Sequence, residues 1–368
     1  MTLRVGIVSA AWGGFAHLPA WRAISGVEVT AICTSRQETA EAAASRLGLP
    51  RAFWDAEAMC ADPDIDIVDL GTRPAVRLQM VLAALANGKH VYNASPHAPD
   101  WAAAKAIDGA WRASGSVGVV DAFSQWIPAH RQMKQMLDDG YVGAPLGGTC
   151  HFNLSLFNQP SKQFPYNWFA LPGQGVSAVR NNGSHALYML LHLFGPIAEL
   201  VADDSQILKR WVFPDGDSIT PENSDLANVI LRFASGLVLQ MQISWSMTLH
   251  DGWLLDVFGD KGRLVASAPT FPTARECVLH GGQLGGALAP VEIPAAFNSV
   301  PGIGLDWQSE PQPSFPMALS MSAMVDAIGG KGGAEGPDFA QALEIERIQE
   351  AIRLSSQERR WIRIADVI

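Results

Sequence analysis

The first 120 residues alternate between short β-branched apolar runs and Ala-rich amphipathic stretches, and few folds accommodate that order. "LRVGIVSA", "VEVTAICT", "IDIVDLG", "HVYNA" and "SVGVVDAF" read as strands. "AHLPAWRAI", "RQETAEAAASRLG", "AVRLQMVLAALANGK" and "DWAAAKAIDGAWRASG" read as the helices between them. Gly48 and Gly88 stand where helices end, and Asp100 is placed to cap the helix that follows it. Strand–helix–strand repetition implies right-handed crossovers and a parallel sheet. The expectation is an α/β fold whose N-terminal part, residues 1–121, is a doubly wound Rossmann sheet.

Beyond residue 122 the texture changes. "PAHRQMKQMLDDG" and "SHALYMLLHLFG" read as helices, with Ser184 as N-cap of the second. "GGTCHFNLSLFN", "AELVADDSQILKRWVF", "DLANVILRF", "GLVLQMQISWSM", "GWLLDVFGD" and "GRLVASAP" read as strands at short spacing, and "PDFAQALEIERIQEAIRLSSQE" closes the chain as a helix. This is the pattern of an α+β domain over 122–368 with a large open, mostly antiparallel sheet. An open sheet leaves a face and edges to cover, so a homodimer or higher oligomer through this sheet is expected. At 368 residues the chain also exceeds the roughly 250–300 at which single cores stop growing.

A formal charge of −10 argues against a nucleic-acid partner, which needs a cationic face. Cys33, Cys60, Cys150 and Cys277 lie far apart without a C-x-x-C, as expected of buried thiols in a reducing compartment; no metal site is expected. The N-terminus has no long apolar leader, and no run reaches the ~18 apolar residues of a membrane span. A cytoplasmic location follows as the expectation.

"VGIVSAAWGGFAHLPAW" occupies the place where a Rossmann strand turns into its first helix, the usual seat of a pyrophosphate. The usual G-x-G-x-x-G is absent: Gly6 is followed by Ser9, Ala10 and Ala11, with Gly13 and Gly14 only after Trp12. Read alone, the turn is either a cofactor site or a tight connection. At the end of the second strand Thr34, Ser35 and Arg36 stand where NAD-binding sheets carry an acidic residue. A guanidinium there suits a 2′-phosphate, so NADP is read ahead of NAD.

Several segments converge on one family. "DPDIDIVDLGTRP" and "ALANGKHVYNASPHA" resemble the third strand, helix and fourth strand of the Gfo/Idh/MocA oxidoreductases, where "DPDIDAV" and "GKHV…EKP" recur. "PAHRQMKQMLDDGYVGAPLG" is similar to the family's interdomain helix, and "PDFAQALEIERIQEAIRLSSQERRWIRI" to its closing helix and strand. "GQGVSAVRNNGSHALYML" and "SAAWGGFAHLPAW" look closest to its Gal80-like branch. The resemblance covers essentially the whole chain.

The resemblance implies an NAD(P)-dependent oxidoreductase acting on a small polyol, sugar or related hydroxy/oxo compound. Implied cofactor positions are Gly6, Ser9, Ala11, Trp12, Gly13, Phe15, Ser35, Arg36, Gly71, Thr72, Arg73, Pro74, Ala94 and Gln125. Implied substrate positions are Trp126, Tyr166, Trp168, Asn182 and His97. The family places a Lys in E-K-P and an Asp and a His in D-x-G-x-H, and the resemblance implies that the Lys and His lie near the reacting carbinol and help move its proton. Here the Glu and Lys positions hold Ala94 and Ser95, the Asp position holds Asn181, a helical His position holds Arg77, and an Arg position holds Gln125. His185 alone keeps the family residue, and is read as the proton-transfer group, with Asn181 and Ser95 beside it in the catalytic set. In a helix's first turn its imidazolium would be disfavoured. The alternative is a member that binds dinucleotide for a regulatory or a non-redox, lyase- or isomerase-like role.

Overall fold

The protein is described by a computed structural model covering residues 2–162, 166–332 and 336–368; the side chains of Tyr166 and Asn167 fall outside the described residues. Two compact units emerge, Met1–Trp126 with Asn298–Glu344, and Ile127–Phe297 with Ile345–Ile368.

The first unit holds a six-stranded sheet of order β3-β2-β1-β4-β5-β6. Its strands are β1 Leu3–Val8, β2 Val27–Cys33, β3 Arg51–Phe53, β4 Ile67–Leu70, β5 His90–Ala94 and β6 Gly118–Asp121. All pairings are parallel. Between them run α1 Leu18–Arg22, α2 Gln37–Leu47, α3 Ala56–Ala61, α4 Pro74–Ala86 and α5 Trp101–Ser114. The expected caps are in place: Gly48 is left-handed behind α2, and the Asp100 carboxylate accepts from Ala103 N at the start of α5. β3 and α3 are additions to the expected pattern. At 3 and 6 residues they are shorter than the runs of about 4–8 residues for a strand and about 11–18 for a helix over which apolar periodicity can be read.

The expected boundary at 121/122 is corrected in two ways. The first unit runs on to Trp126, and residues Asn298–Glu344 return to it. That return is held by backbone contacts: Val119 bridges Asp338, Val120 N donates to Pro337 O at 2.7 Å, and Gly304 N donates to Ala23 O at 2.9 Å. Helix α10, Ser314–Ile328, is apolar on most sides, and the Ser314 hydroxyl donates to Ala16 O at 3.0 Å. Such long-range closure leaves no local signature in the chain.

The second unit opens with α6 Pro128–Asp138 and is built on nine strands: β7 Pro145–Asn153, β8 Ile197–Ser205, β11 Leu226–Phe233, β12 Val238–Ser244, β13 Gly252–Gly259, β14 Gly262–Ala268, β15 Val278–Gln283, β16 Ala289–Pro290 and β17 Ile362–Arg363. A separate two-stranded ribbon pairs β9 Trp211–Val212 with β10 Ser218–Ile219. The sheet order is β16-β15-β14-β13-β7-β12-β11-β8-β17, and only the β7–β12 pair is parallel. Alternation along β11 and β13 buries one face and leaves the other partly open. Phe157 stacks on Trp211 at 3.8 Å and meets Trp245 edge-on at 5.2 Å. Each such buried ring contributes on the order of 2–3 kcal/mol.

The short helix α7 is Tyr166–Phe169, and α9 is Ala295–Asn298. Helix α8, Ala178–Phe194, packs on the sheet and corrects a second expectation. Ser177, not Ser184, is its N-cap, accepting from Arg180 N at 3.2 Å. "NNGS" reads as turn chemistry, yet the helix runs straight through it. Gly183 sits within this helix and faces the sheet: an added Cβ would lie 3.0 Å from Val179, one turn back in α8, and in ordinary contact, 3.6 Å, with Ile243 of β12. The closing helix α11 is Phe339–Glu358.

Candidate functional site

In the first unit strand order reverses between β1 and β4, and crevices at such switch points take ligands in open α/β sheets. Beside this point opens a cavity of about 680 Å³, walled by the ends of β1 and β2 and the segments after β3 and β4. Of the expected cofactor residues, Ser9, Ala11, Ser35, Thr72 and Arg73 line it, together with Thr34, Trp54 and Met80. Hydroxyls and the Arg73 guanidinium suit phosphate oxygens, the indole and thioether suit a flat apolar ring, and Asp55 and Glu57, which also line the cavity, can accept from ribose hydroxyls. Those residues therefore fit the adenosine half of a dinucleotide.

The missing glycine motif has a structural counterpart. Ser9 adopts φ 121°, a conformation that glycine takes far more readily, and its hydroxyl accepts from Ala11 N at 3.2 Å. Gly13 and Gly71 bring the β1 and β4 turns together: a Cβ on Gly71 would lie 3.0 Å from Gly13 N, and one on Gly13 would lie 2.6 Å from Ile7. Gly6 serves packing, since its Cβ would meet the Met59 sulfur at 2.8 Å. Arg36 is exposed at the start of α2, Pro74 is buried at the start of α4, and Ala94 and Gln125 are buried; none of these four lines the cavity. Trp12 and Phe15 are exposed, with ring centroids 6.2 Å apart.

Arg77 of α4 is 1% exposed and donates to Asn93 Oδ1 at 3.0 Å and to the carbonyls of Ala94 and Pro96, at the end of β5 and in the loop after it. A buried guanidinium thus holds the loop that carries Ser95. Ser95 Oγ is buried and has no partner among the described residues. His97 is corrected as an open cleft residue. It is buried, its Nδ1 lies 3.1 Å from Asn93 Nδ2, and it packs edge-on against Phe339 at 4.6 Å. Burial, with the Arg77 charge nearby, pushes its pKa down to about 3, so it is neutral.

In the second unit, His185 lies in the second turn of α8 rather than the first, which removes the helix-end argument for its neutrality. It is half-buried, edge-on to Phe271 at 5.0 Å. Asn181 stands one turn before it and shares its helix face. Asn181 Oδ1 and Asn182 Nδ2 are buried without a partner among the described residues, and Asn182 is only 7% exposed. Trp168 is half-buried against Phe169, while Trp126 ends a short 3-10 turn of the first unit with its indole nitrogen buried. The expected substrate role of the Tyr166 side chain falls outside the described residues.

Sequence reasoning missed a buried charged cluster beneath the β1–α1 turn. His17 Nδ1 lies 2.7 Å from Asp69 Oδ1 of β4, and its Nε2 lies 3.0 Å from Asp121 Oδ2 of β6. Trp21 Nε1 donates to Asp69 Oδ2 at 2.7 Å. Trp12 Nε1 and the Tyr92 hydroxyl donate to Asp121 at 3.0 and 3.2 Å. Burial disfavours the imidazolium, but the two carboxylates outweigh it and raise the His17 pKa to about 10. A signal was present: Asp69 and Asp121 interrupt otherwise apolar strand runs, and a carboxylate in a covered parallel strand requires partners. Among the described residues no helix is long and apolar enough to cross a membrane, and no group of three or more His, Cys, Asp or Glu is arranged for a metal.

Comparison with known proteins places these features in one group. Residues 3–121 match the oxidoreductase family with an NAD-binding Rossmann fold, and residues 130–265 match the GFO/IDH/MocA C-terminal domain. The chain is 30% identical to D-apiose dehydrogenase of Paraburkholderia graminis over 68% of its own length and 64% of that protein, just under two-thirds of the relative. It is 21% identical to levoglucosan dehydrogenase of Pseudarthrobacter phenanthrenivorans over 99% of both chains. The fold matches that of an NAD binding oxidoreductase from Klebsiella pneumoniae with TM-score 0.86, 24% identity and 99% coverage of both chains. It matches levoglucosan dehydrogenase in complex with NADH at TM-score 0.87, 20% identity and 99% coverage of both chains. With both of its domains matched, this chain belongs to the Gfo/Idh/MocA oxidoreductase family.

Proposed function

We propose that the protein is a nicotinamide-dinucleotide-dependent oxidoreductase acting on a small polyol, sugar or related hydroxy/oxo compound. The observation that carries this reading is the switch-point cavity, lined by Ser9, Thr34, Ser35, Thr72 and Arg73, in a Gfo/Idh/MocA chain. The apiose and levoglucosan dehydrogenases, both named for sugar-type substrates, support the substrate class. A bound dinucleotide supplies the acceptor or donor of hydride. His185 takes the carbinol proton during oxidation and returns it during reduction, as an imidazole can. Asn181 and Asn182 orient the reacting oxygen through Asn181 Oδ1 and Asn182 Nδ2, which have no partner among the described residues. Ser95 adds a hydroxyl where the family carries a cation, and Trp126, Tyr166 and Trp168 supply aromatic walls.

NADP is the preferred cofactor in this reading, because Thr34, Ser35 and Arg36 follow β2 without a carboxylate and the Arg73 guanidinium lines the cavity. Arg36→Ala should weaken NADP binding well beyond NAD; equal losses would refute the assignment. A homodimer formed through the open face of the second unit's sheet completes the reading.

A second reading is favoured by Ser95 and Asn181, neutral where the family carries Lys and Asp: dinucleotide bound for a regulatory or non-redox role. Purified protein followed at the reduced-cofactor absorbance with a polyol, sugar and aromatic-alcohol panel separates the two. His185→Ala should lower turnover by about 10²- to 10⁴-fold while leaving dinucleotide affinity unchanged. Tight binding without turnover, indifferent to that substitution, would sink the oxidoreductase reading in favour of the second.

A further inference from the structure

Six side chains meet beneath the β1–α1 turn: Trp12, His17, Trp21, Asp69, Tyr92 and Asp121. Five are at most 3% exposed, and Trp12 alone reaches the surface, at 39%. An ionised carboxylate only accepts hydrogen bonds, so a histidine whose two nitrogens both face carboxylates must carry a proton on each. His17 is therefore an imidazolium, set between Asp69 and Asp121. Asp121 in turn accepts from His17, Trp12 and Tyr92, which fixes its carboxylate plane. Through one oxygen, Asp121 Oδ2, the buried cation and the exposed indole are joined.

The position of Trp12 gives this joint a use. Ala11 lines the cavity that suits one mononucleotide half. The next residue, Trp12, is bonded to the end of β6, so its ring is carried across the β4–β5 side of the switch point. In a doubly wound sheet the other half of a dinucleotide occupies that side. We propose that Trp12 is a stacking wall for the nicotinamide half of the cofactor, and that Asp121 and His17 are positioning residues that hold its ring in place. This rests on the dinucleotide reading above.

The test compares a whole cofactor with a truncated one in the same folded protein. Calorimetric Kd values for NAD+ and NADP+ would be set beside those for ADP-ribose and its 2′-phosphate, which lack nicotinamide. Trp12→Ala should weaken the dinucleotides about tenfold while changing the truncated ligands less than about twofold, the scale of one aromatic stacking contact. Trp12→Phe keeps a ring and removes only the tether; with Asp121→Asn it should give a smaller, still selective loss of about threefold. A substitution that merely loosened the fold would weaken both ligand classes alike, and that result overturns the proposal. If the wild-type protein binds neither class, the dinucleotide reading itself fails and this one falls with it. Nitrogen-15 spectra of His17 should show both ring nitrogens protonated at pH 8.5; a single N–H would overturn the imidazolium tether.

Discussion

His17 and His185 are placed in opposite ways. His17 is fully buried, with each ring nitrogen within 3.0 Å of a carboxylate. His185 is half-buried on a helix beside two asparagines whose amide atoms are left open. In the first cluster every named polar group has a charged or hydrogen-bonding partner, so its geometry is fixed before any ligand arrives. In the second, neutral groups are held in place with unused valence. A buried charge left alone costs several kcal/mol, whereas an unpartnered amide costs about 1–3. Permanent charge is therefore tolerable only where it is locked. The amide atoms left without a partner among the described residues, Asn181 Oδ1 and Asn182 Nδ2, are uncharged.

Removing the locked charge is the harshest way to break this contrast. His17→Gln leaves two carboxylates facing each other in the core and should cost on the order of 3–5 kcal/mol, read as a lowered denaturation midpoint. Adding Asp69→Asn should recover part of the loss; a change under about 1 kcal/mol would mean that the cluster is not charged as described. The same lock gives a pH signature. The folded value of His17, about 10, lies above its unfolded value of about 6.5, so its stabilisation is complete below pH 6.5 and is lost as pH rises through 10. Wild-type midpoints should fall between pH 7 and 10, and the His17→Gln profile should be flatter. His97 acts in the reverse sense: its folded value of about 3 means that its contribution holds above 6.5 and fades as pH falls toward 3.

The open groups should respond differently. Asn182→Leu removes an amide nitrogen that bonds no protein atom, so stability should change by less than about 1 kcal/mol, while turnover on a responsive substrate drops at least several-fold. A large stability loss with intact turnover would make Asn182 structural. The smallest effect is expected at the strained turn: Ser9→Gly should raise stability by about 1 kcal/mol, because glycine accepts φ 121° without penalty. A thermal melt that shifts downward would show that the Ser9 hydroxyl bond to Ala11 N matters more than the backbone strain.

Apart from β3 and α3, the parallel sheet was legible because its strands and helices show apolar periodicity and are bounded by recognisable caps such as Gly48 and Asp100. The start of α8 was misread because Asn181, Asn182 and Gly183 carry local turn chemistry, which the packing of α8 against β7, β11 and β12 overrides. Part of the switch-point lining was legible too, since Ser9, Ala11, Ser35, Thr72 and Arg73 follow strands whose ends converge there. The role of Arg77 was not, because its acceptors lie 16 to 19 residues away in the next loop.

By itself the sequence determined the class of each domain. Apolar period and residue identity are local properties, readable one segment at a time. Only the tertiary structure decided that residues 298–344 rejoin the first unit, and that His17 carries a charge between Asp69 and Asp121, partners 52 and 104 residues away. Charge state and available valence depend on which distant atoms crowd a side chain, and chain order does not record that.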